Sequence, residues 1–297
     1  MEDTKQAVLI MAHNNWNSLE KLIRFFDSNE IEIFLHIDKK AKDFNKQHFI
    51  NLCNNAKINL IKRRNVRWGT NDQILCEMDL FKEALKKGPF LYYHLISGND
   101  VPLVPLNEFL NFFKGKSKNF LIADEEPQFE IRFQIYFNIF EKLKILPQSW
   151  KQYLNKKSNA LQIKIGVNRL KKLKDKFPII RQGHNWCNLK QKAVEILISK
   201  EKEIKKISYF TSCGDEMYKQ IILCNSEIAT TLTNDDIRAI DWTNGGPHPK
   251  TFSYKDLTQL QDYKRQGKLL ARKFDENLDN SIIEKLYLLL ENQPFNR

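Results

Sequence analysis

The run AVLIMAHNN at residues 7–15 decides the fold of this chain, because an unbroken apolar stretch ends there abruptly in polar side chains. Six apolar residues in succession are typical of a strand buried on both faces, as in parallel sheets. The polar residues then follow the carboxyl end of the strand, which is where open α/β sheets bind their ligands. The stretch thus predicts both a sheet and the edge of that sheet at which a ligand binds.

Four further apolar runs repeat this pattern over the first 125 residues, and amphipathic stretches with helical spacing separate them. Strands that alternate with helices predict an α/β fold, in which a mostly parallel, Rossmann-like sheet carries helices on both faces. The predicted strands are Ala7–Ala12, Ile31–Ile37, Ile58–Ile61, Phe90–Ile96 and Phe120–Ala123, and the predicted helices are Ser18–Phe26, Asp43–Cys53, Asp72–Lys87 and Pro105–Phe113.

The second part of the chain begins with an aromatic and basic segment, Pro127–Pro178, which we interpret as helices and a long loop on the acceptor side. No linker or repeat interrupts the sequence, so we expect one compact unit over residues 1–297, with 1–125 as its nucleotide-sugar half and 126–297 as its acceptor and catalytic half. The elements predicted after the middle segment are a strand at Gly183–Leu189 and helices at Gln191–Lys205, Cys213–Cys224 and Ser281–Glu291.

The net charge of +12, from 48 Lys and Arg against 36 Asp and Glu, favours an anionic partner. Phosphorylated ligands and an anionic membrane remain open, as does a lysine-rich surface without a partner. Nucleic acid is not predicted, because neither an RNA-binding aromatic signature nor zinc-finger spacing accompanies the charge. Five irregularly spaced cysteines and a polar start at Met1–Gln6 lead us to expect reduced thiols and a cytoplasmic location, free or peripheral at the inner face of the plasma membrane.

Polar side chains end three of the predicted strands, with His13 after the first, Asp38 after the second and Asp100 after the fourth. Asn and Asp are common in any turn, yet their repetition at strand ends favours a small-molecule crevice. The chain has neither the glycine pattern of a dinucleotide site nor a P-loop. It also lacks a D-x-D motif, whose carboxylates would bridge a metal to a diphosphate. We therefore expect no metal or other cofactor, and cationic side chains in the metal's place.

Several segments together resemble the core-2/I-branching β-1,6-N-acetylglucosaminyltransferase family, which also contains the peptide O-xylosyltransferases. The resemblance spans nearly the whole chain in family order, and without the disulfides or anchor of the animal enzymes it points to a bacterial member. It implies a GT-A fold, a UDP-sugar donor, inversion at the anomeric carbon and catalysis without metal. The segments that carry it are AVLIMAHNNWNSLEKLI, FLHIDKK, VRWGTNDQIL, LISGNDVPL, GHNWCNL, TSCGDEMY, RAIDW, GGPHPKTF and ARKFD.

The resemblance also implies roles for individual residues, matched motif by motif. Carried over in this way, they are Glu216 of TSCGDEMY as the catalytic base, Arg238 of RAIDW and Lys273 of ARKFD at the UDP phosphates, and His36, Asp38, Lys39 and Asp100 around the uridine. We assign His13 to the same donor pocket. On the acceptor side we expect Trp186 and Trp242, which can stack on a sugar face, and Arg132 of the middle segment.

The predicted reaction is the transfer of a sugar from UDP to a saccharide acceptor, which is lipid-linked in one version of the hypothesis, for a surface polysaccharide, capsule or lipopolysaccharide. N-acetylglucosamine is the expected donor sugar, and xylose, glucose and galactose remain alternatives. Direct inversion needs one carboxylate to take the proton of the attacking hydroxyl, which is the role assigned to Glu216. A non-catalytic, basic protein that binds polyanions is the alternative from another class.

Overall fold

The computed structural model of the protein describes residues 5–291, apart from 125–130, 142, 144 and 247. The strands of the described residues form two sheets. The strands are β1 Gln6–Ala12, β2 Ile31–Ile37, β3 Lys57–Leu60, β4 Tyr93–Ser97, β5 Val101–Pro102, β6 Asn119–Phe120, β7 Cys187–Leu189, β8 Leu232–Thr233, β9 Arg238–Ile240 and β10 Leu270–Arg272.

Helices cover both faces of the larger sheet. The α-helices of the described residues are α1 Trp16–Phe25, α2 Lys46–Ile50, α3 Asn71–Lys87, α4 Leu106–Phe113, α5 Ile131–Gln134, α6 Gln148–Lys164, α7 Arg169–Lys176, α8 Gln191–Ser199, α9 Glu201–Ser208, α10 Tyr218–Cys224, α11 Leu257–Arg265 and α12 Glu276–Glu291. No helix in the described part of the chain is both long and apolar enough to cross a membrane.

The larger sheet has seven strands in the order β3-β2-β1-β4-β7-β6-β8. β1 lies at its centre and pairs in parallel with β2 and β4, while β7 runs antiparallel to β4 and β6. All seven residues of β2 are buried, including Glu32 and His36, as expected of a strand whose two faces are both covered by helices. The topology confirms the predicted α/β fold class, a GT-A-type, Rossmann-like sheet covered by helices. The predicted boundary at 125/126 lies outside the described residues.

A small sheet in the order β5-β10-β9 was not predicted, although it positions several candidate site residues. Its strands have two or three residues, which is too short for any periodicity to emerge from the sequence. β10 pairs in parallel with β9, so that Leu270 lies opposite Arg238 and Arg272 lies opposite Ile240. Arg238 and Arg272 therefore project from the same face of the small sheet.

The predicted helices of the second half are shorter and more broken than the sequence suggested. The predicted helix Gln191–Lys205 is in fact two helices, α8 and α9, which meet at Lys200. The predicted helix Cys213–Cys224 begins as a 3₁₀ turn, Gly214–Glu216, and continues as α10 only after Met217. This break sets Glu216 in a turn at the start of α10.

Candidate active site

The carboxyl ends of β1 and β2 bring His13 and Asp38 together, as their positions after two neighbouring parallel strands predicted. Desolvation lowers the pKa of His13, and the charges of Asp38, Lys273 and Arg272 act on the same ring. The Asp38 carboxylate accepts the Lys40 amide at 2.8 Å, which fixes the turn after β2. These side chains form one rim of mixed charge at the expected edge of the sheet.

His36 lies behind this rim, although the sequence analysis placed it in the donor pocket. Its ring is almost fully buried, and Nε2 accepts the Arg64 amide at 2.9 Å. Burial lowers the pKa of His36 to about 4, so the ring is neutral near pH 7. The exposed residue Lys39 is held by the same loop, since its amide donates to the Arg64 carbonyl at 2.7 Å. His36 is therefore placed to shape the loop that carries Lys39, and direct contact with a ligand would require it to leave the core.

Asp100 is likewise buried, and its carboxylate serves as the counter-ion of two arginines. One oxygen accepts from the Arg272 guanidinium at 3.2 Å, and the other lies 3.5 Å from Nε of Arg238. The second oxygen also accepts the Ser97 amide at 3.0 Å, which ties the end of β4 to the small sheet. Asp100 thus has internal partners on both oxygens, and its contact with the donor stays a prediction.

The Arg238 side chain is only 1% exposed, which conflicts with a direct approach to a phosphate from solvent. Its ion pair with Asp100 is long, and none of its guanidinium nitrogens has a hydrogen-bond partner among the described residues. Its guanidinium carbon lies 5.8 Å from the centre of the Trp186 ring. Arg238 is accordingly a buried cation under the tryptophan, one layer below the surface.

Arg272 lies closer to the cleft than Arg238, and about a fifth of its side chain is exposed. Its guanidinium lies 4.5 Å from the centre of the Trp186 ring, and it lines the same cleft as Glu216. Lys273, the next residue along the chain, is half-buried and acts on the rim through its charge on His13. The two neighbouring cations therefore lie between the rim formed by His13 and Asp38, which we call the donor rim, and the cleft that contains Glu216.

Glu216 is positioned by tight backbone packing on both sides of its turn. Its carbonyl accepts the Gly183 amide at 2.9 Å. A Cβ at Gly183 would come within 1.9 Å of the Ile122 carbonyl oxygen, so only glycine permits this approach. At Gly214 a Cβ would lie 2.5 Å from the Thr211 hydroxyl. These two glycines fix where the Glu216 side chain enters the cleft.

Arg132, predicted as an acceptor residue, is paired with Glu216, the predicted base. The Arg132 guanidinium donates to Oε2 of Glu216 in a charge-assisted hydrogen bond. About a third of the Glu216 side chain and a fifth of the Arg132 side chain remain exposed. α5 thus places one member of the middle segment directly at the candidate base.

The cleft around Glu216 has a volume of about 110 Å³ and tryptophans in its walls. Trp186 is partly buried, whereas Trp242 is well exposed and its ring lies 6.3 Å from that of His184. Trp68, which the sequence analysis did not select, is the third tryptophan of the wall. A larger groove, formed by residues of α1, α4 and α12, shares no residue with this cleft or the rim.

A buried charge network supports the Glu216 turn from below. Nζ of Lys219 donates to Glu77 at 2.6 Å, to Asn185 at 2.7 Å and to the Asp215 carbonyl at 3.1 Å. Burial raises the pKa of Glu77, with Lys219 opposing that shift. Burial, with the charges of Glu77 and Glu216, also raises the pKa of Asp215 to about 7. The network fastens the turn to α3 and to the segment that carries Trp186.

Replacing Lys219 by Met is expected to destabilise the protein by about 3–5 kcal/mol, because it leaves Glu77 buried without its cation. Urea unfolding would measure this loss. The matched control is Lys205→Met, which removes a partly exposed ion pair with Glu201 and should cost about 0–1 kcal/mol. Equal stability of the two variants would contradict the supporting role of the network.

The Glu216 turn, the segment that carries Trp186 and the strand that ends in Arg272 all meet in one cleft. Residues 7–265 match the family described as Branch, core-2/I-branching enzyme. The chain belongs to this family. It is therefore a glycosyltransferase, as the sequence analysis expected, and the non-catalytic alternative is set aside.

Solved structures of other glycosyltransferases resemble this core-2/I-branching enzyme distantly. Mouse xyloside xylosyltransferase 1 in its apo form is 10% identical, with 90% of this chain and 96% of that chain covered and a TM-score of 0.40. The apo form of the glycosyltransferase GlyE of Streptococcus pneumoniae TIGR4 is 11% identical, with 91% and 55% covered and a TM-score of 0.41. No curated protein matches the chain.

His184 and Asp236 form a further pair in the cleft of this core-2/I-branching enzyme that the sequence analysis missed. Nδ1 of His184 lies 2.8 Å from the buried Asp236 carboxylate. Burial opposes ionisation of Asp236, but the contact with His184 and the charge of Arg238 lower its pKa overall. His184 stands two residues before Trp186 in GHNWCNL, so the motif itself was the signal that could have found it.

Proposed function

We propose that this core-2/I-branching enzyme transfers a sugar from a UDP-sugar to a saccharide acceptor with inversion, using Glu216 as the base. The observation that carries the proposal is the convergence of Glu216, Arg272 and Trp186 on one cleft beside the donor rim. A carboxylate, a cation and an aromatic face are what deprotonation, leaving-group stabilisation and sugar stacking require.

Glu216 takes the proton from the acceptor hydroxyl as that oxygen attacks the anomeric carbon. Arg132 holds Oε2 of Glu216, which leaves Oε1 to receive the proton. The guanidinium fixes the direction of the carboxylate and also faces the acceptor side, in keeping with the expected role of Arg132. Trp242 and Trp186 offer flat surfaces on which the sugars stack, since both line the cleft.

Lys273 and Arg272 are the proposed phosphate clamp, in which Arg272 takes the place first expected of Arg238. Arg238 is more deeply buried than Arg272, and in this proposal it supports the position of Trp186 and Asp100. Two cations side by side neutralise charge that grows on the departing UDP, as a divalent ion would do elsewhere. Asp38 and Lys39, at the carboxyl end of β2, are the proposed contacts of the uridine, with His13 beside them.

Metal independence is part of this proposal and has a direct test. UDP should raise the melting temperature of the protein equally with and without EDTA, because ligand binding to the folded state stabilises it by about 2.7 kcal/mol at a hundredfold excess over Kd. Among the described residues, no group of three or more His, Cys, Asp or Glu is arranged to hold a metal ion. Stabilisation by UDP that disappears with EDTA and returns with Mn²⁺ would overturn the metal-free mechanism.

N-acetylglucosamine is the proposed donor sugar, on the strength of the family, with xylose, glucose and galactose as alternatives. The proposed product belongs to a surface polysaccharide, capsule or lipopolysaccharide, assembled on the cytoplasmic side from an acceptor that is free or lipid-linked. Release of UDP, measured for each of the four UDP-sugars, identifies the donor. If Glu216→Gln released UDP as fast as the wild type with every donor, the proposed reaction would fail irrespective of the sugar.

A further inference from the structure

Helix α6 is packed with its polar side chains inward. Its buried residues are the amides Asn155 and Gln162, which bond to the segment before the helix. Gln162 accepts the Tyr136 amide at 2.7 Å and donates to the Tyr136 carbonyl at 2.8 Å. Asn155 accepts the Phe140 amide at 3.2 Å. Hydrogen bonds therefore fasten this helix to the protein, whereas surface helices ordinarily pack through an apolar face.

The outward face of α6 carries the large apolar side chains instead. Trp150 is 59% exposed, Tyr153 54% and Leu161 57%. Together with Lys157 and Lys164, these residues are separated by 3, 4, 4 and 3 positions along the helix. At 3.6 residues per turn, this spacing places all five within an arc of about 80° around the helix axis. We call these five residues the α6 stripe. Its rings lie together, with 6.4 Å between the centres of Trp150 and Tyr153, and Nζ of Lys157 is 5.6 Å from the Tyr153 ring centre.

The positive charge of the chain is concentrated around the same helix. Residues 148–176, which span α6 and α7, contain nine Lys and Arg and one carboxylate, Asp175, so their net charge is +8. That is two thirds of the +12 carried by all 297 residues. α6 itself has no acidic residue. An aromatic and aliphatic stripe on a helix that carries lysines and no acidic residue is the pattern of helices that lie in the interface of an anionic bilayer.

We propose that the α6 stripe is a docking surface for an anionic lipid bilayer. Trp150 and Tyr153 would lie at the level of the headgroups, Leu161 would reach the acyl boundary, and the lysines would meet lipid phosphates. Charge argues against a second copy of the chain as the occupant, because two copies of a helix that carries lysines and no acidic residue would repel each other. The long stems of the lysines pack along apolar surface while their ammonium groups remain among the phosphates.

The docking surface is joined to the cleft by α5. Ile131, the exposed first residue of α5, precedes Arg132, which binds Glu216, and Gln162 of α6 holds Tyr136 just beyond the end of α5. A bilayer beneath α6 would therefore lie on the acceptor side of Glu216. This orientation rests on the proposed function, whereas bilayer binding itself does not. The surface would bring the cleft to acceptors carried on lipids.

Sedimentation of the full chain with vesicles tests the proposal without any transfer reaction. We expect binding to vesicles that mix phosphatidylglycerol with phosphatidylcholine, weakening as salt rises, and no binding to phosphatidylcholine alone. The double variant Trp150→Ser/Tyr153→Ser should partition at least about tenfold more weakly into the anionic vesicles, as should Lys157→Glu/Lys164→Glu. These side chains are exposed, so the melting temperature should not change.

Two matched controls distinguish binding through the α6 stripe from nonspecific binding through exposed aromatic residues or lysines elsewhere on the surface. Tyr254→Ser removes an exposed tyrosine far along the chain, and Lys86→Glu/Lys87→Glu reverses two exposed lysines at the end of α3. Both should bind anionic vesicles like the wild type. The proposal is overturned if the wild-type chain does not sediment with anionic vesicles, if the stripe variants bind as well as the controls, or if the stripe variants instead lose self-association in size-exclusion chromatography.

Discussion

Replacing Glu216 by Gln is expected to lower kcat by about 10²–10⁴-fold, the usual cost of losing a general base. The amide keeps the size of the side chain and can still bond to Arg132, but it cannot accept a proton from the acceptor hydroxyl. UDP affinity should remain as in the wild type, because Glu216 lies in the cleft beyond the donor rim. Steady-state kinetics with donor and acceptor, together with UDP titration, measure both quantities.

Glu227→Gln is the matched control for this substitution, since Glu227 is an exposed glutamate that pairs with Lys192 at the surface. Its kcat should equal that of the wild type. A Glu216→Gln enzyme that retained more than about a tenth of wild-type turnover would lie outside the range of a lost general base and would end this assignment.

The second large effect is expected from the phosphate clamp. Arg272→Ala and Lys273→Ala should each lower kcat by about 10²–10³-fold, as the loss of one donor to a developing negative charge does elsewhere. UDP affinity should fall less than kcat, because the contacts strengthen as the bond to the leaving group breaks. The double variant should lose less than the product of the two single effects, since both cations act on the same charge.

Arg265→Ala provides the control for the clamp, because this arginine is exposed on the last turn of α11 and paired with Asp262. It should leave kcat and UDP affinity unchanged. Normal turnover in Arg272→Ala combined with loss of turnover in a folded Arg238→Ala would restore the pair first expected from the sequence. Normal turnover in both Arg272→Ala and Lys273→Ala would remove the clamp altogether.

The centre of the larger sheet could be predicted because β1, β2 and β4 have five to seven residues each and are mostly apolar and buried. β1 and β2 were placed to within one residue of their bounds, since they combine six and five apolar residues, respectively, with polar side chains at the end. The strand predicted at Phe90–Ile96 is β4, Tyr93–Ser97, because the cluster around Gly88 and Pro89 delays its start. The positions of the strand ends were then enough to predict that His13 and Asp38 lie at the same rim.

The small sheet could not be predicted, so the sequence did not reveal how deeply Arg238 and Arg272 are buried. A sequence motif does not show how deeply a side chain is buried, so burial could not be used to choose between Arg238 and Arg272 as phosphate ligands. Only the pairing of β9 with β10, and the position of Asp100 beside both, determines which guanidinium is buried. The same limit applies to His36, whose partner Arg64 lies on a loop that no periodicity anticipates.

The polar underside of α6 was likewise hidden in the sequence. The middle segment was expected to hold helices and to face the acceptor, and Arg132 does reach Glu216. However, helical spacing of aromatic residues usually marks a buried face, whereas Trp150 and Tyr153 are outside and Asn155 and Gln162 are inside. Which side of an amphipathic helix is buried depends on the hydrogen-bonding partners that the rest of the chain supplies.

The anomeric configuration of the first product tests the central claim most directly, because a single base acting in one displacement must invert the anomeric carbon. Proton NMR of a reaction started with the α-linked UDP-sugar donor would record the configuration of the newly formed glycosidic bond. We predict a β-linked product, formed by the wild type and absent with Glu216→Gln. An α-linked product would require a second displacement or a different transition state, and would contradict Glu216 as the base of a direct inversion.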